Sequence, residues 1–152
     1  RSRAPAFSWP QGADLADLLK GKPVGHSGNV VANGAFAAMK TAIFLVRGGQ
    51  LQTPALASGI LRGITRNIVM QMAEKKGLEV YERMILPEEI LQADECFLTN
   101  TTMEVMPVTY CDGRPIGRGL PGAITLALKK AFRAHVEELV KVYRTRQVLE
   151  ET

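Results

Sequence analysis

Residues 43–53 read IFLVRGGQLQT, and this stretch gives the clearest indication of the fold. Its first part, Ile43 to Arg47, consists mostly of the β-branched, aromatic and aliphatic types that suit a strand. Gly48 and Gly49 then provide two consecutive positions that tolerate a positive φ, which a two-residue hairpin turn needs. The strand resumes at Leu51, so the stretch predicts a β-hairpin.

The segments that follow the hairpin alternate between helix and strand. Apolar residues recur at helical spacing from Ile64 to Ala73, and Gly77 ends that helix after two lysines that suit its negative end. The other expected elements are a strand over 78–86, a short helix opening at Pro87, strands over 94–99 and 104–110, a hairpin turn at Asp112-Gly113, a brief strand from Ile116 and a helix over 126–143. Together they predict a mixed α/β (α+β) domain, with a mixed sheet and flanking helices.

The composition agrees with one globular domain and argues against nucleic-acid binding and membrane spanning. Of the 152 residues 46% are apolar and 22% charged, as in ordinary globular proteins and unlike disordered chains. The net charge of +4 comes from 19 basic and 15 acidic residues that are scattered, so it does not indicate nucleic-acid binding. The most apolar window, Ala35 to Val46, is too short to cross a bilayer. We expect no nucleic-acid partner, no membrane span and a cytoplasmic location.

The first 42 residues differ in composition and patterning from the rest of the chain. They carry several prolines and glycines and one short amphipathic candidate at Ala13 to Lys20, so we expect a poorly organised N-terminal arm over 1–42. The folded domain is expected over 43–146, followed by a tail over 147–152.

Most histidine, cysteine and acidic residues in this sequence are expected to have structural or surface roles rather than catalytic ones. Motifs of the common hydrolases, metalloproteases, redox proteins and P-loop enzymes do not occur in the sequence. His26 and His135 lie in unlike contexts and are expected to have packing or surface roles. Cys96 and Cys111 fit no zinc or disulfide pattern, so we expect small buried side chains and no metal site. Acidic pairs at 88–89, 137–138 and 150–151 are expected on solvated helix surfaces.

Two polar stretches are better candidates for a site. Residues 63–66 (GITR) open the predicted helix, where unpaired backbone N–H groups and the positive end of the dipole favour an anion such as phosphate. A helix cap is the equal alternative, in which Gly63 makes a tight entry and Thr65 caps the first turn. Residues 99–102 (TNTT) close a predicted strand with small polar side chains, which is also common at capping turns. If this strand end and helix start are neighbours, both stretches can bind one phosphate.

Five motifs follow one another in a recognisable order. They are LQTP (51–54), GILRGITR (59–66), ADECFLTNTTMEVMPV (93–108), DGR (112–114) and GLPG (119–122). In this order they resemble the C-terminal domain of class IV aminotransferases, the fold type IV enzymes that include branched-chain and D-amino acid aminotransferases and aminodeoxychorismate lyase. The resemblance runs from Ile43 to Phe132, more than half of the chain.

The resemblance implies a cofactor, a fold and a set of binding residues. The cofactor is pyridoxal 5'-phosphate, and the fold is that of the D-amino acid aminotransferases, a mixed sheet or pseudo-barrel with flanking helices. The residues implied to contact the cofactor are Leu61 on the pyridine ring and, on the phosphate, Gly63, Ile64, Thr65, Asn100 and Thr101. The implied substrates are an amino acid and a 2-oxo acid, and we expect a homo-oligomer or a partner chain.

The family's catalytic groups are not identifiable in this sequence. The family carries a lysine that bonds the cofactor and, in an EGxxxN segment before the first strand, a glutamate that keeps the pyridine nitrogen protonated. The corresponding residues 37–42 read AAMKTA, and neither Lys20 nor Lys22 has a matching context. No catalytic residue is therefore assigned, and we expect a truncated or diverged aminotransferase domain with impaired catalysis. The alternatives are a lyase of the aminodeoxychorismate type and a non-catalytic module for phosphate or cofactor binding or for oligomerisation.

Overall fold

Seven strands of the described part of the chain form one mixed sheet. The computed structural model describes residues 13–14, 42–55, 64–100, 104–111 and 113–151. In chain order the strands are β1 (Ala13–Asp14), β2 (Ala42–Arg47), β3 (Gln50–Pro54), β4 (Val80–Arg83), β5 (Glu95–Asn100), β6 (Glu104–Cys111) and β7 (Arg114–Pro115). They lie side by side in the order β1-β6-β5-β2-β3-β4, and β7 pairs with β6.

The hairpin predicted at Gly48 and Gly49 joins β2 to β3. The two strands pair antiparallel, with Val46 opposite Leu51. Gly48 and Gly49 have φ values of 58° and 77°, which let a two-residue turn follow the right-handed twist of its strands. The hairpin prediction is confirmed. β5 pairs antiparallel with the other side of β2 and β6 with β5, whereas the β3-β4 and β1-β6 pairs are parallel.

The described helices are α1 (Ile64–Lys75) and α2 (Ala123–Glu151). α1 forms the crossover between the parallel strands β3 and β4, a connection that a tight turn cannot make. It ends as the sequence predicts, because Gly77 has a φ of 85° and the Leu78 N–H donates to the Ala73 carbonyl at 3.0 Å, as in a Schellman cap. The helices and the sheet confirm the predicted mixed α/β fold.

Both helices pack on the same face of the sheet. The apolar cluster beneath them includes Phe44 and Phe97, whose rings stack with centroids 4.8 Å apart. α1 adds Val69 to this cluster, and α2 adds Phe132. The connection between β4 and β5 packs on the opposite face and contributes Ile90 to a second buried cluster. The central strands are therefore buried on both faces.

Two strands are shorter or shifted relative to the sequence prediction. The strand expected over 78–86 is limited to β4, because Leu78 belongs to the cap of α1 and a 3₁₀ turn (Pro87–Glu89) follows the strand. The strand expected from Ile116 is β7, which pairs with β6 across the predicted turn at Gly113, and Ile116 lies just after it in the core. Local propensity identified these elements but not where their pairing stops.

The ends of the chain also differ from expectation. Residues 13–14 form a strand paired with β6, whereas the sequence suggests a helix over 13–20, and residues 15–20 lie outside the described ranges. α2 continues past residue 143 to Glu151, so residues 147–151 are helical rather than a tail. All of its residues from 137 to 151 are exposed. Within the described ranges, neither helix combines the length and apolar character that a membrane crossing requires.

Candidate functional site

The start of α1 lies at the end of the sheet where β3 and β5 finish. β2 runs antiparallel to both of these strands, and its first residue, Ala42, pairs with Thr99 of β5. In the first turn of α1, Arg66 Nη2 donates to the carbonyl oxygen of Pro54, the last residue of β3, at 3.1 Å. Asn100 is the last residue of β5. The helix start and the end of β5 are thus at one end of the sheet, with β2 between β3 and β5.

The first turn of α1 has the features of an anion site. Ile64 is the first helical residue and is 74% exposed, whereas Thr65 is buried. The alternative in which Gly63 and Thr65 form a helix cap stays a prediction, because Gly63 lies outside the described residues. The first turn of α1, as described from Ile64 onward, carries no acidic side chain. Its backbone N–H groups and the positive end of the dipole therefore favour a negatively charged ligand.

Thr99, next to the end of β5, is a buried polar residue at the same end of the sheet. Its side chain lies on the face that carries the helices, because it pairs with Ala42 and Val105 of the cluster beneath them. Thr99 is 2% exposed, and its hydroxyl has no hydrogen-bond partner among the described residues. Buried hydroxyl groups are usually paired. A partner for this hydroxyl must therefore come from outside the described residues, such as a polar ligand or water.

Glu104 begins β6 opposite Asn100 and has an unusual backbone conformation. Its φ is 58°, in the left-handed region that residues other than glycine seldom adopt. Its carboxylate lies 3.4 Å from Arg133 Nη1 of α2, an exposed pair of the kind that stabilises little. Backbone strain of this type tends to occur at functional sites. The strained residue thus adjoins the segment in which the sequence predicts phosphate binding.

Arg66 is a feature of this region to which the sequence assigned no separate role. It is 2% exposed, and its Nη2 donates to Glu82 Oε2 at 2.8 Å as well as to Pro54. Its Nε has no partner in the part of the chain that is described. Arg66, Val69 and Ala73 share the buried side of α1. Their spacing was the available signal that this arginine points inward.

The structure places only some of the expected cofactor-binding residues. Ile64 and Thr65 lie at the start of α1, and Asn100 ends β5. The other three, Leu61, Gly63 and Thr101, lie outside the described residues. Contact between any of these residues and a cofactor therefore stays a prediction.

Glu89 differs from the solvated acid that the sequence predicts. It is half-buried, and its carboxylate accepts hydrogen bonds from Arg83 and, at 2.7 Å, from the backbone N–H of Leu86. The hydrogen bond from Arg83 holds the pKa of Glu89 below its usual value. Arg83 also donates to Gln52 Oε1 at 2.8 Å. The network links β3, β4 and the following turn, whereas Glu88 is exposed as expected.

The cysteines and the described histidine lie in surroundings that suit structural or surface roles. Cys96 and Cys111 are buried in the core, which confirms the burial that the sequence predicts for them. Burial raises the pKa of the Cys96 thiol and so disfavours a reactive thiolate. His135 is exposed on α2, and His26 lies outside the described ranges. No group of side chains in those ranges is arranged to hold a metal ion.

Known proteins resemble the central part of this chain in sequence. Residues 37–111 match the amino-transferase class IV family. A D-alanine aminotransferase of Bacillus licheniformis is 40% identical over 91 residues, which are 60% of this chain and 32% of that protein. A branched-chain-amino-acid aminotransferase of Pseudomonas aeruginosa is 40% identical over 90 residues, covering 59% of this chain and 29% of that protein.

Solved structures show the same relationship. The branched-chain amino acid aminotransferase of Escherichia coli aligns with a TM-score of 0.61 at 36% identity, covering 62% of this chain and 32% of that one. The branched-chain amino acid aminotransferase of Thermobaculum terrenum, in its PLP form, aligns with a TM-score of 0.61 at 42% identity, covering 63% of this chain and 32% of that one. Residues 37–111 belong to the class IV aminotransferase family, as the motif order predicts. The chain spans about a third of the length of the relatives it matches.

Proposed function

We propose that this chain forms the phosphate-binding part of a class IV aminotransferase that uses pyridoxal 5'-phosphate. The reaction moves an amino group between an amino acid, of branched-chain or D type, and a 2-oxo acid. One observation carries the proposal: within the family stretch, the open first turn of α1 and the end of β5 lie at one end of the sheet. The proposal extends to a cytoplasmic enzyme that works as a homo-oligomer or with a partner chain.

The residues present suit the phosphate of this cofactor. The first turn of α1 offers backbone donors without a competing acid, and phosphate binding at such a turn needs no lysine. The buried guanidinium of Arg66, which Glu82 compensates only in part, adds positive charge near the same turn. The hydroxyl of Thr99 has no partner among the described residues, and a protein core does not ordinarily leave such an atom without one. These features all favour a negatively charged, oxygen-rich ligand.

Each expected binding residue has a defined task in this proposal. Backbone N–H groups at Gly63, Ile64 and Thr65, together with the hydroxyl of Thr65, hold the phosphate from the helix. Asn100 and Thr101 hold it from the end of β5. When bound, the cofactor supplies an electron-accepting ring to the reaction. The contact proposed for that ring is the side chain of Leu61.

Calorimetric titration of the purified chain tests the proposal directly. We expect pyridoxal phosphate and inorganic phosphate to bind, and pyridoxal, which lacks the phosphate, to bind far more weakly. Thr65→Ala should weaken binding of pyridoxal phosphate about tenfold, the effect of losing one hydrogen bond to a charged group. Thr145→Ala removes an exposed hydroxyl far along α2 and is the control. Equal affinity for pyridoxal and its phosphate would contradict the proposal.

A non-catalytic binder is the second candidate. The lysines within the described ranges are all exposed and belong to α2 or to the C-terminal end of α1 and its cap: Lys75, Lys76, Lys129, Lys130 and Lys141. None of these lies in the first turn of α1 or in β5, the two elements that the proposal places against the cofactor phosphate. Borohydride treatment followed by mass spectrometry distinguishes the candidates, because it fixes a lysine-attached cofactor permanently. Transfer to an added 2-oxo acid then separates a transferase from a lyase.

A further inference from the structure

Arg66 is the largest of the fully buried side chains in the described core. It starts from the first turn of α1 and reaches two neighbouring strands. Its Nη2 donates to the Pro54 carbonyl at the end of β3, at 3.1 Å, and to Glu82 Oε2 on β4, at 2.8 Å. A single guanidinium nitrogen therefore connects the helix start to both strands that α1 joins.

Stability alone is a poor explanation for this buried charge. Removing a guanidinium from water is costly, and Glu82 compensates it only in part because the Glu82 side chain is 42% exposed. The Nε of Arg66 has no partner within the described residues. An apolar side chain of similar volume beside Val69 would avoid both costs. The arginine is better explained by the geometry that its hydrogen bonds impose.

That geometry concerns the position of the helix start. Helix ends, including the first turn, fray easily, whereas backbone donors act as an anion site only when their positions are fixed. We propose that Arg66 is a positioning residue, which holds the first turn of α1 against the end of β3 so that the N–H groups of Ile64 and Thr65 stay directed at the anion. This inference rests on the proposed function of the helix start as a phosphate site.

Amide hydrogen exchange on the full 152-residue chain tests the positioning role without a ligand. The amides of residues 68–70 report on the first turn, because their helical hydrogen bonds return to its carbonyl groups. Arg66→Met keeps the length of the side chain and removes its donors. We expect about tenfold faster exchange at residues 68–70, with amides in α2 unchanged. Arg66→Lys, which keeps one charged donor group, should restore part of the protection.

Phosphate affinity provides the second measurement. Arg66→Met should weaken binding of pyridoxal phosphate and of inorganic phosphate about tenfold, and Arg66→Lys by less. Arg47→Met is the control, because it removes a half-exposed guanidinium at the opposite end of β2. If Arg66→Met does not fold, Arg66→Lys carries the same comparison with the unmodified chain.

The outcomes separate this inference from the proposed function. Exchange that rises equally in α1 and α2 would overturn the positioning role, because it would show a general loss of stability. Unchanged exchange at residues 68–70 would overturn it as well, and so would normal phosphate affinity in a variant whose helix start is loosened. If the unmodified chain binds neither ligand, the proposed function fails, and with it the inference that the fixed helix start serves an anion.

Discussion

The carboxylate of Glu95 caps α2 by accepting a hydrogen bond from the backbone N–H of Thr125 at 2.7 Å. Its other oxygen accepts a longer bond of 3.3 Å from Ile124. The first turn of α2 has no acidic residue of its own, so the negative charge that suits its N terminus comes from β5. Glu95 lies at the start of β5, and Asn100 lies at its end. The cap therefore fixes α2 at the end of the sheet opposite the candidate site.

Glu95→Ala is expected to lower the free energy of unfolding by about 1 kcal/mol, the usual effect of removing a helix cap. The loss follows because two N–H groups of α2 lose their acceptor. Urea denaturation measures the change. Glu137→Ala is the control, since Glu137 is an exposed acid on the same helix. A similar loss in both variants would show that the cap is not the cause.

Gly122→Ala should affect the same cap from the opposite side. A Cβ at residue 122 would overlap the side-chain atoms of Glu95, so the carboxylate would have to move away from α2. We expect a loss of about 1 kcal/mol in the unmodified chain and a clearly smaller loss in the Glu95→Ala background. A double-mutant cycle by urea denaturation measures the difference. Equal losses in both backgrounds would mean that Gly122 acts independently of the cap.

Local signals in the sequence were sufficient to predict the central hairpin and α1. Gly48, Gly49 and Gly77 each adopt a positive φ, and this requirement is visible in the residue type alone. The limits of β4 were not predictable in this way. Leu78 leaves the strand because its N–H joins the helix cap, and that choice depends on α1 being formed.

In the candidate site, too, features that depend on neighbouring residues could be predicted, and contacts between residues far apart in the sequence could not. The open helix start at Ile64 and Thr65 follows from the local sequence, because unpaired donors are a property of any helix start. The ion pair of Arg66 was not predictable, because its partner Glu82 is 16 residues away and reaches it only through the β3-α1-β4 crossover. Glu89 was assigned to solvent for the same reason, since its network includes Gln52 of β3 through Arg83.

Gly117→Ala is expected to be among the most damaging small substitutions. Gly117 has a φ of 58°, and a Cβ there would overlap the backbone carbonyl of Asp94, which has little freedom to move. We expect a loss of about 3 kcal/mol, since strain and overlap act together. Gly113→Ala is the matched control, with a φ of 78° and open space around the added atom, and should cost about 1 kcal/mol. Losses of equal size at both positions would contradict the role of the overlap.

Glu89 should make the stability of the fold depend on pH in the acid range. Its pKa is lowered in the folded chain, chiefly by the hydrogen bond from Arg83, so its stabilising effect is complete above the unfolded pKa. The effect is lost as the pH falls through the lower, folded pKa. We therefore expect Glu89→Gln to flatten the decline of unfolding free energy on acidification, measured by urea denaturation at several pH values. The exposed neighbour provides the control variant, Glu88→Gln, which should leave the decline unchanged.

Thr99 and Thr53 allow a direct comparison of an unpaired and a paired buried hydroxyl. They are 2% and 0% exposed, but Thr53 donates to the Ile43 carbonyl at 2.7 Å, whereas the Thr99 hydroxyl has no partner in the described part of the chain. Thr99→Val should therefore raise the free energy of unfolding by about 1 kcal/mol, because valine removes an unsatisfied polar group at nearly constant volume.

Thr53→Val should have the opposite sign, with a loss of about 1 kcal/mol, because it leaves a strand carbonyl without its hydroxyl donor. Urea denaturation of the two variants, without added ligand, gives the comparison. Loss of stability in both would mean that the Thr99 hydroxyl is already satisfied in the free protein. A gain at Thr99 alone would mean that this end of the sheet holds a polar group at a cost in stability, as binding sites often do.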